Sequence, residues 1–191
     1  PMSISRLLQC FVALLVLCHT HTFASELADK LQTGHYVLLM RHAYAPGVGD
    51  PPGYSLHKCD TQRVLNHEGI QQAARIGDWL RAQGVSSAIV LSSVWCRCQK
   101  TAEELKYGPV QIETALASFF DEPLKAKKLN QQLQQRIANA LPNKKNQALI
   151  LVTHHVNIRE FVGKDIGSGD MILAQVNAKG QMISFRHYPS P

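Results

Sequence analysis

Three short apolar runs stand out along the chain, at residues 36–40, 88–91 and 148–152. Each is an unbroken stretch between polar segments, the pattern of strands buried on both faces. Helical spacing appears between them. Asn66 precedes a helix whose apolar side carries Ile70, Ala73, Ile76, Gly77 and Leu80 and which ends at Gly84. Further helices are predicted over residues 95–106, 124–141 and 157–161, the middle one closed by Pro142-Asn143. Residues 110–112 predict a short strand. Residues 171–176 and 181–185 alternate around Asn177-Ala178-Lys179-Gly180, as a hairpin does. Strands alternating with helices predict an α/β three-layer sandwich: a mostly parallel central sheet, helices on both faces, and a C-terminal hairpin. Gly/Pro-rich residues 45–60 and the irregular segment 117–123 are left as loops.

The first 24 residues follow another pattern. Arg6 precedes an apolar run over residues 7–18, His19-Thr20-His21 turns polar, and Thr22-Phe23-Ala24 spaces small residues as a cleavage site does. The run is too short for a membrane span. The expectation is a signal peptide over 1–24 and a single domain over 25–191, periplasmic or secreted, with no membrane span once the signal is cut. A retained N-terminal anchor is the alternative. With 45% hydrophobic and 18% charged residues, the chain has the balance of a globular domain and not of a disordered one.

The formal charge of +6 changes little. A basic balance suits nucleic acid, an anionic surface or a phosphate ligand. The lysines are scattered except at Lys125, Lys127 and Lys128 and at Lys144-Lys145, and no aromatic residues interleave with them. A stacking platform for nucleic acid is therefore absent, no nucleic-acid partner is expected, and both clusters read as solvated helix faces. After export, Cys59, Cys96 and Cys98 remain, an odd count that suggests one disulfide and one thiol. Cys96-Arg97-Cys98 has the wrong spacing for a zinc site, so no metal is expected.

The chemistry gathers where the predicted strands end, which is where open α/β sheets bind ligands. The first strand delivers Arg41-His42, the second Ser92-Ser93 and then Arg97 on a helical turn, the third Thr153-His154-His155. Arginine beside a buried strand end is costly without an anionic partner. A neutral imidazole attacks phosphorus and splits one hard step into two. Guanidinium forks match pairs of phosphate oxygens and keep their charge. His155 is expected to start the next helix and face elsewhere, and Trp95 to pack. Asn157 suits either the pocket or a helix cap. For His57, Gln62 and Arg63, substrate contact and solvent exposure are equal readings.

Leu39-Met40-Arg41-His42-Ala43 resembles the Arg-His-Gly signature of the histidine phosphatase superfamily. Leu65-Asn66-His67-Glu68-Gly69 with Gln72-Ala73, Ser92-Ser93-Val94-Trp95-Cys96-Arg97 with Thr101-Ala102, and Val152-Thr153-His154 follow in the order of that family. The resemblance implies His42 as nucleophile, Arg41 and Arg97 as phosphate ligands, and His154 as second pocket histidine, with no metal or other cofactor. It implies the compact, phosphoglycerate-mutase-like branch. That branch's exported members include lipopolysaccharide heptose phosphate phosphatases, so a phosphorylated small molecule or envelope phospho-sugar is the expected partner. Two positions depart from the pattern. Ala43 stands where glycine is usual, and Leu116-Ala117-Ser118 holds no carboxylate where the family places its glutamate acid. Asp121 and Glu122, slightly later on the same loop, are the candidate acids, with a solvated helix start as the equal alternative.

The expected function is an exported phosphatase that hydrolyses a phosphomonoester (or phosphohistidine) through a covalent phosphohistidine on His42. The alternative is a non-catalytic phosphate or phospho-sugar binding module of the same fold. Helical residues two apart point to nearly opposite sides, so only one of Cys96 and Cys98 can meet the loop carrying Cys59. Cys96 lies nearer the strand end from which that loop emerges. A Cys59–Cys96 disulfide with Cys98 reduced is therefore expected, against three buried thiols.

Overall fold

Parallel pairing aligns the three apolar runs, and the alignment places their C-terminal ends side by side. In the computed structural model, which describes residues 25–191, β1 (Tyr36–Arg41) pairs with β4 (Ala148–Thr153) with Arg41 opposite Thr153. β2 (Ala88–Ser92) pairs with the other edge of β4, with Ser92 opposite Val152. The short β3 (Val110–Ile112) completes the parallel half, and the antiparallel pair β5 (Met171–Val176) and β6 (Met182–Tyr188) closes the other edge. The sheet order is β3-β2-β4-β1-β5-β6, the mostly parallel sheet with a C-terminal hairpin that the periodicity predicts. The export signal expected over residues 1–24 lies outside the described residues. Among the described residues no helix is long and apolar enough to cross a membrane.

Alternation along the strands divides the core into two layers. Leu38 and Met40 of β1 and Ile150 and Val152 of β4 face α1 (Glu26–Gln32), α2 (His67–Ala82) and α3 (Cys96–Glu104). Val37 and Leu39, with Leu149 and Leu151, face α4 (Ala126–Ala140) and α5 (His155–Val162). Both sets are wholly buried, which is why these runs are apolar at every position. α1 is an element that the sequence reading did not predict. Its N-cap Ser25 accepts from the Ala28 amide, and Leu27, Ala28 and Leu31 dock on the first layer. α5 begins at His155, two residues before the stretch 157–161 given to it from the sequence.

Lys144 corrects the reading of Lys144-Lys145 as a solvated face. It is fully buried, and its ammonium donates to the carbonyls of Leu31 (2.7 Å) and Gln147 (2.8 Å). The end of α1 and the turn after α4 together present these carbonyls as a cage, so the charge is hydrogen-bonded where solvent is lost.

Two contacts hold the loop after β1. The Ala43 amide donates to Thr101 Oγ1 (3.0 Å), and that hydroxyl donates to the Arg97 carbonyl (2.7 Å). The Tyr44 amide donates to Gln72 Oε1 (2.8 Å). The Tyr44 carbonyl lies against α2 at Gly69, where a Cβ would collide with that oxygen. Gly69→Ala is expected to lower stability by about 1–3 kcal/mol, the usual cost of overpacking, measured as a fall in the denaturant midpoint. An unchanged midpoint would show that the loop after β1 does not rest on α2.

Candidate active site

The strand register carries two histidines to one place. The His42 amide donates to the Thr153 carbonyl (2.9 Å) and the Ser93 amide to the Val152 carbonyl (2.9 Å), so the chain leaves β1, β2 and β4 at one level. His42 and His154 are both buried, with ring centroids 5.5 Å apart. His42 Nδ1 lies 2.8 Å from the Ala43 carbonyl. A carbonyl only accepts, so Nδ1 carries the proton and Nε2 keeps its lone pair. His154 Nε2 lies 2.8 Å from Ser93 Oγ, and its ring meets Trp95 edge-on at 5.3 Å. Ala43, where glycine is usual in the resembled family, is fully buried and is not among the residues with positive φ.

Both histidines open onto a cavity of about 270 Å³ that Arg41, Arg63 and Arg97 also line. Arg41 donates from Nη1 to the Ile166 carbonyl (2.8 Å), while its Nε is buried without a partner. Arg97 is buried, and its Nε is likewise unpartnered. Arg63 spends Nε and Nη1 on the carbonyls of Gly49 (2.8 Å) and Ala45 (2.6 Å). An unpaired guanidinium N–H in the interior costs stability unless an acceptor arrives. Two of them in one cleft, beside a free imidazole lone pair, describe a seat for a multivalent oxyanion.

The surroundings hold the histidines neutral. Burial pushes His42 well below its ordinary value of 6.5; the bond to the Ala43 carbonyl opposes this, and the positive charges of Arg97, Arg63 and Arg41 reinforce it. Burial also pushes His154 well below 6.5, followed by the effects of His42 and Arg97.

The model of the histidine phosphatase superfamily (branch 1) matches residues 37–122, a span that holds Arg41, His42 and Arg97. Over those residues the chain is similar to the histidine phosphatase superfamily. Comparison with curated proteins yields no match. Among solved structures, the protein histidine phosphatase SixA complexed with tungstate is similar at 16% identity and a TM-score of 0.54, over 81% of this chain and 97% of that one. Phosphoserine phosphatase from Entamoeba histolytica is similar at 13% identity and a TM-score of 0.56, over 78% and 95%. Mycobacterial glucosyl-3-phosphoglycerate phosphatase is similar at 13% identity and a TM-score of 0.55, over 81% and 97%. At such identities the likeness is one of fold. Together with the family match it makes the cleft a phosphatase-type active site.

Of Leu116-Ala117-Ser118, the stretch where the resembled family places its acid, Ser118 lines the cleft. Of the two candidate acids, Asp121 lines the cleft and accepts from the Tyr54 hydroxyl at 3.5 Å. Glu122 is an exposed partner of Lys125 and is not among the lining residues; the turn at Pro123 carries it away. His155 does line the cleft, 5.8 Å from the Phe120 ring, contrary to the expectation that it faces elsewhere. His155 does start α5 as expected, but as the first residue after the N-cap His154 it stays at the sheet edge. Asn157 is buried and donates to the Ala117 carbonyl (2.8 Å) outside the cleft.

Cys59 and Cys96 form a disulfide, with Cα atoms 5.6 Å apart, and Cys98 is a buried free thiol, as the helix geometry predicts. Burial pushes the Cys98 thiol up to about 12, which leaves it unreactive. Beside the disulfide, the Cys96 amide donates to Gln62 Oε1 (3.0 Å), so Gln62 is a structural residue. His57 is exposed and outside the cleft. The residue that sequence reasoning missed is Asp50. It lines the cleft and accepts from Arg97 Nη1 at 2.9 and 3.1 Å.

A depressed histidine pKa has two consequences with a definite sign. The acid limb of the kcat/KM profile for the free enzyme is expected well below pH 6.5, since His42 stays neutral there. The unfolded chain takes up protons near pH 6.5 while the folded one does not. The histidine contribution to stability is thus complete above that pH and declines as pH falls through it. Kinetics and melting curves across pH 5–8 check both. A rate lost with a midpoint near 6.5 would contradict the buried, neutral His42.

Proposed function

We propose that this protein is an exported phosphatase that transfers a phosphoryl group from a phosphomonoester, or from a phosphohistidine, to Nε2 of His42 and then to water. One observation carries the reading. His42 commits its Nδ1 proton to the Ala43 carbonyl and keeps the Nε2 lone pair, in a cleft where Arg41 and Arg97 each hold an unpaired Nε–H.

The steps follow from that geometry. The substrate's dianionic phosphoryl group brings the acceptors that the arginine Nε–H groups lack. Its charge offsets the repulsion of the arginines, which raises His154's affinity for a proton and lets that ring donate to an equatorial oxygen. Nε2 attacks phosphorus as the bond to the leaving group breaks, giving phosphohistidine and the dephosphorylated product. Water then attacks phosphorus, the P–N bond breaks, and inorganic phosphate leaves. Asp121 is the carboxylate at the cleft in reach of a leaving group. It would give the leaving oxygen a proton in the first step and take one from water in the second. The similar structures are named for protein histidine, phosphoserine and glucosyl-3-phosphoglycerate substrates. A phosphorylated small molecule, an envelope phospho-sugar among them, fits this range.

Export rests on residues 1–24 of the sequence and is supported by the Cys59–Cys96 disulfide, since such bonds persist in oxidising compartments. The alternative reading, a binding module, draws on the absence of a carboxylate in Leu116-Ala117-Ser118.

Two measurements test the reading. His42→Ala is expected to abolish phosphate release from an aryl phosphate and to leave the melting temperature nearly unchanged. Turnover retained in a folded His42→Ala protein contradicts the mechanism, and phosphate affinity without turnover in the wild type supports the binding module. Asp121→Asn is expected to slow an alkyl phosphate by about 100-fold or more, and an aryl phosphate with a good leaving group much less. Equal, small effects on both would remove Asp121 from the role of acid.

A further inference from the structure

Asp50 lies in the loop between β1 and α2, yet its carboxylate is one of the most fully engaged in the protein. Oδ1 accepts from the Arg63 amide (2.9 Å) and from Arg97 Nη1 (2.9 Å). Oδ2 accepts from Trp95 Nε1 (3.0 Å) and again from Arg97 Nη1 (3.1 Å). The Arg97 and Asp50 side chains are only 5% and 3% exposed. Three donor groups make four contacts with its oxygens, so no oxygen is left to carry a proton to a leaving group. The residue borders the reaction without the means to act as its acid.

The division of Arg97 is the informative part. A guanidinium offers two edges, and a carboxylate seated on Nη1 alone leaves the Nε–Nη2 edge open. Nε of Arg97 is buried and has no partner. Arg97 is thus anchored at one corner and unsatisfied at the edge that an oxyanion would take.

We propose that Asp50 is a positioning residue that holds Nη1 of Arg97 and so turns the Nε–Nη2 edge of the same guanidinium toward the phosphoryl group. Asp50 also joins three parts of the site that are separate in sequence. Trp95, which it anchors through the indole N–H, packs on His154, and Arg63, which it anchors through the backbone, lines the opposite wall. The ion pair persists when phosphate binds, because the substrate takes donors that Asp50 does not use.

This inference rests on the phosphatase reading, and nuclear magnetic resonance of the wild-type protein separates the two. The chain has two tryptophans, so the indole N–H of Trp95 is one of two such signals and reports on Asp50. On saturation with inorganic phosphate, the Nε–H signals of Arg97 and Arg41 are expected to shift while the Trp95 indole signal stays in place. Movement of the Trp95 indole into fast solvent exchange would show that phosphate displaces Asp50, which overturns the proposal and leaves the phosphatase reading standing. Phosphate that moves no arginine or histidine signal would overturn both.

Kinetics supply the second arm. An amide at position 50 must turn its NH₂ against at least one of the three donor groups. Asp50→Asn is therefore expected to lower kcat/KM by about 100-fold, the loss that a small misplacement of a binding group brings, and to weaken inhibition by inorganic phosphate. In an Arg97→Lys background the same change is expected to have little further effect, since residues acting through one another are not additive. Full additivity, or near-normal kinetics of Asp50→Asn, contradicts the proposal. Should Asp50→Asn not fold, the resonance measurement on the wild type decides alone.

Discussion

Three guanidinium groups share the walls of one small cleft, and almost every feature of the site answers to their mutual repulsion. Arg41 and Arg63 are both pushed to lower pKa, first by burial and then, in part, by the charge of Arg97. The protein absorbs some of this with backbone carbonyls at Ile166, Gly49 and Ala45 and with the buried carboxylate of Asp50. It does not absorb all of it. Nε of Arg41 and Nε of Arg97 stay without a protein acceptor. Burial, reinforced by the same positive field, keeps both histidines neutral, so under the proposed function the surroundings that seat phosphate also keep the nucleophile ready.

The fold holds those charges at close quarters through register and through a tethered loop. Arg41 opposite Thr153 and Ser92 opposite Val152 mean that His42, His154 and Ser93 each follow a strand end at one level. The loop after His42 would drift without its ties to Thr101, Gln72 and the bare face of α2 at Gly69. Farther along, the Cys59–Cys96 bond and the Gln62–Cys96 contact pin the segment bearing Asp50 and Arg63 to α3, which bears Arg97. A disulfide closing a loop of 37 positions contributes about 3–4 kcal/mol in the chain-entropy account. Here it also fixes the spacing between like charges, so stability and the geometry of the site rest on the same bond.

The parts of this site legible in the sequence are those attached to regular structure. The doubly buried strands gave away their ends by their apolar runs, and Arg41, His42, Arg97 and His154 were found because each lies within a few residues of such an end. The disulfide partner was legible because Cys96 and Cys98 fall on opposite sides of a helix. Asp50 was not, since Gly/Pro-rich residues 45–60 have no period, and an Asp in such a loop looks like turn chemistry. Arg63 was left between substrate contact and solvent exposure, and it lines the cleft. Lys144 resembled any surface lysine, because the carbonyl cage that buries it forms only when α1 docks beside the turn. The choice between Asp121 and Glu122 depended on which way one turn faces before Pro123, and neighbouring carboxylates carry no signal for that.

The account depends on which nitrogen of which histidine receives the phosphoryl group. Rapid quenching of the protein during turnover, followed by peptide mapping under alkaline conditions, measures this directly. The account predicts a phosphoryl group on His42, attached at Nε2, because Nδ1 spends its proton on the Ala43 carbonyl. Phosphate found on His154, on Nδ1 of His42, or on no histidine while turnover proceeds would contradict it.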